Sequence, residues 1–431
     1  MSSSQTQNEH PRSARWLSWL KSWPYTLGVS VSLVIGAISV IASVSVDVAL
    51  RDPDGFLGPA WVRLPLLGLL LFAVGLVPAA VRRSGWKNIG PGVVNVLRYE
   101  WSLRRLLYIA TGLATFYVCY VGYRNLKNVL PVHRDGVLFD QELLELDKWM
   151  FGGVDPAIVL HDIFGVDFTA QVLSFVYMAY LPLIPITLGI FLVLNRNLAV
   201  GAWYATTLSL NWVIGTASYY LYPALGPIYA RPDLYAGLPD TTVAGLQDAL
   251  LNNRLQFLSN PESSEVIHGV AAFASLHTSI TFAAAYFMQR TGQHLGVRIF
   301  AWTFFGLTVL ATLYFGWHYI VDDIVGVIIG YLAVAIAAAA TGHGFFGEKS
   351  VVAKALNRRR LTEGQGQVRD AVDHQIHHHA SNPDAGQRPV QHQGQHQPQH
   401  QDHDLAQHQS AAQDGRPRQD GPLKDSRREP S

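Results

Sequence analysis

The sequence predicts an all-α fold: a polytopic membrane helix bundle of about eight transmembrane helices. Both termini are expected in the cytoplasm, with short amphipathic helices on the outer face and a disordered C-terminal tail. Three observations predict this. Charged residues make up 15% of the chain against 49% hydrophobic, whereas a soluble domain carries roughly a quarter charged. The apolar residues gather in stretches long enough to cross a bilayer, about 20 residues each. The basic residues that flank these stretches fall on one side of the membrane once the spans are counted.

The chain divides into a cytoplasmic N-terminal segment (1–25), a membrane domain (26–346) and a His/Gln-rich tail (347–431). The tail holds almost no large apolar side chains and cannot bury enough surface to fold. Eight candidate spans follow within the membrane domain: 26–49, 61–81, 105–123, 167–194, 198–222, 270–289, 296–316 and 319–341. The first is too long in its apolar core for a signal peptide and follows 25 polar or mixed residues, so it reads as a retained span. With eight spans, Arg12, Arg15 and Lys21 lie on the same side as Arg82, Arg83, Lys87, Arg98, Arg104 and Arg105. Arg196, Arg290, Arg298, Lys349, Lys354 and Arg358 to Arg360 join them. That side is the cytoplasm by the positive-inside rule. The expected location is an integral, multi-pass protein of the plasma membrane.

Two longer segments are left on the outer face. Residues 124–166 contain "FDQELLELDKWMFGGVDPAIVLHDIFG" and residues 223–269 contain "TTVAGLQDALLNNRLQFL". Their leucine spacing predicts helices lying on the bilayer. Such helices either cover the bundle or fence a lateral entrance for a lipid, and the pattern favours neither. A net charge of +1 with scattered Lys and Arg carries no nucleic-acid signal. The single cysteine, Cys119, excludes an intramolecular disulfide and a Cys-based metal site.

Ionisable groups inside spans are costly, so each needs a reason. His277, in "GVAAFASLHTSITFAAAYF", begins span six at its outer end. His318 and Asp322, in "YFGWHYIVDDIVG", begin span eight at the same end. His318 and Asp322 are four apart, one turn along one side of a helix. A carboxylate there fixes the tautomer of one imidazole and leaves its other nitrogen as acceptor or nucleophile. Asp323 points about 100° away and is the weaker candidate. A second histidine across a gap supplies a general acid. Taken singly, each residue has a plainer reading: an interfacial histidine, or an intrahelical His–Asp hydrogen bond. Two His and one Asp also suit zinc, but no further ligand of comparable placement accompanies them.

Together these segments resemble the type 2 phosphatidic acid phosphatase superfamily over roughly residues 120–341. Its second motif is Pro-Ser-Gly-His, and its third is Ser-Arg followed by His and, four residues later, Asp. The resemblance is closer to the inositol phosphorylceramide synthase-like (inositolphosphotransferase) branch, with Pro-Ser-Leu-His and His-Tyr followed by Asp. Here "ASLHTS" supplies Ser275, Leu276 and His277, and "WHYIVDDIVG" supplies His318, Tyr319, Asp322 and Gly326. The resemblance implies that His318 attacks phosphorus to form a phosphohistidine, Asp322 orients it and His277 protonates the departing oxygen. Ser275 is carried over as a phosphate contact, and no metal or other cofactor is implied.

The implied function is a membrane phosphotransferase moving a phosphoryl or phospho-headgroup, such as inositol phosphate, between lipids. Its partners are a phospholipid or polyprenyl-phosphate substrate, an acceptor alcohol or water, and membrane lipids. One alternative is a lipid phosphate phosphatase hydrolysing phosphatidic acid or polyprenyl phosphates. The other is a non-catalytic lipid-binding protein.

The sequence departs from the family pattern at three places. Ala274 replaces the second-motif Pro. Thr312 stands where the phosphatase branch has its third-motif Arg, an absence shared with the synthase branch. The first motif, a Lys followed seven residues later by Arg-Pro, survives only as Arg231-Pro232, with Ala224 at the Lys position. Phosphoryl transfer needs cationic charge on the transferring oxygens, and a bidentate Arg is the natural device. Arg231 is the first candidate. Arg124 and Lys127, placed just outside span three, are the next, with headgroup contact as their plainer role. Tyr219, Tyr220 and Tyr222 read as interfacial anchors, with stacking on a polyol headgroup as the alternative. In the tail, His374, His377, His378 and His379 suit weak metal binding or simple solubility, on the face opposite the candidate site.

Overall fold

Where water is absent, a chain must satisfy its backbone groups internally, so long apolar runs become helices. The computed structural model describes residues 23–52, 54–55, 58–261 and 269–343. It is helical apart from a two-residue pairing of Asp54–Gly55 with Gly58–Pro59. The segments 1–22 and 344–431, which hold all but residues 23–25 of the expected N-terminal segment and the whole His-rich tail, lie outside the described residues.

In chain order the helices are α1 (Thr26–Ser45), α2 (Ala60–Ser84), α3 (Ile89–Glu100), α4 (Leu103–His133), α5 (Asp140–Met150), α6 (Pro156–Phe164) and α7 (Phe168–Gly189). They continue with α8 (Leu198–Leu221), the single turn α9 (Pro227–Ala230), α10 (Thr242–Ser259), α11 (Leu276–Arg290), α12 (Leu295–Tyr314) and α13 (Ile320–Ala340). A π-helical turn, Ile190–Leu194, extends α7.

Six segments among the described residues are long and apolar enough to cross a membrane: Thr26–Ser45, Trp61–Ser84, Leu103–His133, Phe168–Leu194, Leu295–Tyr314 and Ile320–Ala340. The architecture is that of a polytopic helical membrane protein. The other two expected spans became α8 and α11, which fall outside that set for different reasons. Helix α8 is 24 residues long but carries Thr206, Thr207, Ser209 and Asn211, all fully buried. Its neighbours α1, α4, α11 and α13 pack around it, so it needs no apolar surface for lipid. Helix α11 has only 15 residues, about 22 Å at 1.5 Å per residue, short of the roughly 30 Å hydrocarbon core. The apolar run before it, residues 269–275, is not helical.

Helix α4 runs 31 residues to His133, ten beyond the expected end of span three. Arg124 and Lys127 therefore sit within the helix, not just outside it as the hydropathy boundary suggested. The polar residues that blurred that boundary are buried and bonded: Asn125 exchanges hydrogen bonds with the Arg51 backbone at 3.1 and 2.9 Å. The two outer-face segments form α5, α6 and α10. Helix α5 buries one stripe, Asp140, Leu143, Leu144 and Asp147, and that stripe contains two carboxylates.

Candidate active site

The site forms where the N-termini of α11 and α13 meet. Ser275 caps α11, its Oγ accepting from the Thr278 N–H at 3.3 Å, as expected of serine at this position. The Ser275 N–H donates to the Asp322 carbonyl at 3.0 Å, which ties the two helix starts together. Close approach is allowed by glycines one turn apart on α13. A Cβ on Gly326 would lie 2.6 Å from the Ser275 carbonyl oxygen, and one on Gly330 2.5 Å from that of Ser279. The segment before α11 is held to α8 and the following loop: Ala274 N–H donates to Ser218 Oγ at 2.9 Å, and Ala272 N–H to the Ala224 carbonyl at 2.8 Å.

His318 lies in the turn between α12 and α13, and several elements lock this turn. Gly316 has φ +67° and leaves room for the Tyr235 ring. Its carbonyl accepts from the Ile228 N–H at 2.9 Å. Asp322, at the third position of α13, reaches back to the Tyr319 N–H at 2.9 Å, half of a capping box. From α5, Asp140 accepts from the Leu225 and Gly226 amides at 2.9–3.0 Å and from the Tyr319 hydroxyl at 2.7 Å. Asp147 accepts from the Ile320 N–H at 3.1 Å. The buried stripe of α5 is thus a brace against the His318 turn. Nothing in the leucine spacing disclosed this; only Asp140 and Asp147, seven residues apart on one face, hinted at it.

The three expected reactive residues come together in a line. His318 Nε2 lies 3.4 Å from His277 Nδ1, and His318 Nδ1 lies 3.4 Å from Asp322 Oδ2. Both distances exceed those of well-formed hydrogen bonds, and neither His318 Nδ1 nor Asp322 Oδ1 has a hydrogen-bond partner among the described residues. Such contacts commonly tighten only around a bound substrate. His318 is 5% exposed and Asp322 fully buried. Burial pushes the His318 imidazole down to about 4; Asp323 opposes the shift and the Lys127 charge adds to it. A neutral imidazole at pH 7 is the nucleophilic form.

Asp323 is a second carboxylate in the same place. It accepts from Thr278 Oγ1 at 2.5 Å, and Thr312 Oγ1 lies 3.2 Å from it. Thr312, in the position of the phosphatase branch's Arg, thus contacts the carboxylate next to Asp322. His277 is gripped by α7: Tyr177 stacks on it at 4.7 Å and Tyr180 leans against it at 4.4 Å between centroids. Tyr177 is backed in turn by Trp317 at 5.3 Å, the rings 3° from parallel. Sequence reasoning missed these tyrosines, whose i, i+3 spacing in "FVYMAYL" was the available signal.

Of the candidate cations, Lys127 comes nearest to the pair in effect, since its charge acts on both histidines. Its Nζ stands 5.2 Å from the Tyr219 ring centroid and 5.8 Å from that of Tyr123. Tyr219, read as an interfacial anchor, is 2% exposed and forms part of this aromatic wall. Arg124 lies three residues before Lys127, 6.0 Å from the Tyr120 centroid. Arg231 is spent elsewhere: its guanidinium pairs with Asp233 through bonds of 2.9 and 2.7 Å at the surface.

A cleft beside His318 is lined by Leu144, Asp147, Asp155, Pro227, Tyr235 and Leu313, with about 10 Å³ of free space, room for roughly one water. Attack on phosphorus needs a near-attack distance of roughly 3–3.5 Å, which the 3.4 Å between the two imidazoles does not leave room for. A phosphoryl group placed between the two rings would have to part them. Among the described residues no cluster of His, Cys, Asp or Glu suits a metal ion.

Residues 141–336 match the family model of the PAP2 superfamily. The match takes in Arg231, Ser275, His277, His318 and Asp322, and stops short of Arg124, Lys127 and Asp140. Neither the curated proteins nor the solved structures provided a match to the chain.

Proposed function

We propose that this protein is an integral membrane enzyme that transfers a phosphoryl or phospho-headgroup between lipids through a phosphohistidine. The observation that carries the reading is the linear array His277–His318–Asp322, with 3.4 Å at each step, inside the segment that matches the PAP2 superfamily. The array also suggests atom roles. His318 Nδ1 faces the carboxylate, so Nε2 is the attacking nitrogen. A bond forms from Nε2 to phosphorus as the bond from phosphorus to the leaving oxygen breaks. That oxygen takes its proton from Nδ1 of His277 in its imidazolium form, which is left neutral, and Asp322 balances the charge that His318 acquires. In the second half, His277 accepts the proton of the incoming alcohol, whose oxygen displaces His318. Lys127, with Arg124 behind it, is the preferred cation for the phosphoryl oxygens, and Ser275 a further contact.

Transfer to an alcohol, as in the inositolphosphotransferase branch, is preferred to hydrolysis. Support comes from the burial of His318, which would keep water from the phosphohistidine, and from Thr312 in place of the phosphatase arginine. The site is assigned to the extracytoplasmic side of the plasma membrane on the strength of the basic flanks. That orientation is the same whether or not α8 and α11 cross fully, because they form a returning pair.

The test is an incubation of purified protein with labelled phospholipid, with and without acceptor alcohol. Product should require acceptor and be lost in His318→Ala. Acceptor-independent phosphate release assigns a phosphatase, and unchanged turnover in His318→Ala overturns the mechanism. A wild-type protein that binds lipid without turnover assigns the non-catalytic reading.

A further inference from the structure

The loop at residues 223–227 has two sides. One faces the His318 turn. On the other lies a second cleft, walled by Leu130, Val137, Leu225 and Val270, with two arginines in its lining, Arg134 and Arg254. Arg254 projects from α10 and is only 9% exposed, yet among the described residues its guanidinium forms no hydrogen bond or ion pair. Arg134 follows the last residue of α4, where Asp135 and Gly136 turn the chain with positive φ. Its Nε is buried and likewise lacks a hydrogen-bond partner among the described residues.

A buried guanidinium without a counter-charge is expensive. Burial lowers the proton affinity of Arg254, and the field of Asp140 only partly opposes this. Asp140 itself is committed to the Leu225 and Gly226 amides and the Tyr319 hydroxyl, so among the described residues it does not serve as the partner of Arg254. What fits two guanidinium groups in the lining of a cleft with apolar walls is an oxyanion able to accept paired N–H bonds, with apolar substituents along the walls.

We propose that Arg134 and Arg254 form a second anion site, specific for a phosphate group and separated from His318 by the 223–227 loop. The phosphate is either that of an anionic lipid headgroup or a free ion. The cleft is narrow, about 10 Å³, so the two side chains part as the ligand enters. The site does not depend on the catalytic reading above, because it uses none of the same side chains.

The experiment uses the full-length protein in phosphatidylcholine nanodiscs. Inorganic phosphate is titrated in one arm and phosphatidic acid is added to the bilayer in the other, with binding read by native mass spectrometry and by the shift in Tm. Arg254→Gln should weaken binding about tenfold or more, the scale of one lost charge-assisted pair. Arg134→Gln should weaken it less, and Arg254→Lys should fall between wild type and Arg254→Gln, because lysine keeps the charge but not the fork. His318→Ala should leave this arginine-dependent binding unchanged even if it abolishes turnover. Arginine-dependent binding in either arm supports the site and identifies the source of the phosphate. Wild-type affinity in both Gln variants, or no saturable binding in either arm, overturns it. If Arg254→Gln does not fold, Arg134→Gln, at a half-buried position, decides the question alone.

Discussion

Asp147 offers a direct test of the brace between α5 and the His318 turn. Its carboxyl is 4% exposed and is pushed from 3.8 up to about 7, chiefly by burial. The charges of Asp322, Asp323 and Asp155 add to the shift, and the Ile320 N–H bond opposes it. Lys148 sits nearby but pairs with Asp155 at 3.4 Å. A carboxyl raised in the folded state is protonated there while the unfolded chain is already ionised. Stability therefore falls as pH rises from about 4 through about 7 and stays low above that. Each tenfold change in proton affinity is worth about 1.4 kcal/mol, so the folded state loses roughly 4 kcal/mol across this window. Asp147→Asn keeps an oxygen for the Ile320 N–H and cannot ionise. The variant should match wild type at pH 4, begin to exceed it as pH rises, and be several degrees more stable at pH 8. Thermal unfolding of both proteins in detergent from pH 4 to pH 8.5 measures this directly. Parallel wild-type and Asp147→Asn curves across that range would refute the assignment of a strained, neutral carboxyl. Asp147→Ala, which loses the acceptor as well, should be less stable than Asp147→Asn at every pH.

Other outcomes follow from the same geometry. His277→Ala should lower kcat about 10²- to 10⁴-fold, the usual range for a general acid, while leaving the phosphohistidine trappable after a substrate with a good leaving group. Failure to trap it would reassign His277. Gly326→Ala places a Cβ 2.6 Å from the Ser275 carbonyl and forces α11 and α13 apart. Overpacking of this kind costs about 1–3 kcal/mol, and turnover should fall further than stability because the histidines move with the helices; a Tm within a degree of wild type would contradict the close approach. Tyr319→Phe removes the 2.7 Å bond to Asp140 without changing ring packing. It should lower kcat with little effect on KM, whereas an equal change in both would place Tyr319 in substrate binding instead.

The parts of this molecule that were legible in the sequence are those encoded by local chemistry. A stretch such as Thr26–Ser45 or Ile320–Ala340 declares itself a span because a bilayer admits little else. His277, His318 and Asp322 drew notice because ionisable groups at the ends of such stretches are unusual. Hydropathy was a poorer guide where helices are shielded from lipid. Helix α8 can bury Thr206 and Asn211 because other helices surround it, and α4 can carry Lys127 because Tyr123 and Tyr219 wall it in. The boundary of α11 was misplaced for a related reason: residues 269–275 are apolar but spend their amides on Ser218 and Ala224 rather than on a helix.

By itself, then, the order of residues determined the class of fold and singled out His277, His318 and Asp322 as the candidates proposed for chemistry, since each depends on composition within one or two turns. Tertiary structure alone decided which nitrogen of His318 faces the carboxylate, that Tyr177 and Tyr180 hold His277, and that Arg231 is bound to Asp233 while Lys127 lies against Tyr123 and Tyr219. It also decided that α5 braces the His318 turn through Asp140 and Asp147, and that Arg134 and Arg254 share a cleft. His318 and Asp322, Arg231 and Asp233, and Lys127 and Tyr123 are close in sequence, but the other pairings join residues tens to nearly two hundred positions apart, and such distances close only when helices pack, a property of shape that no local pattern records.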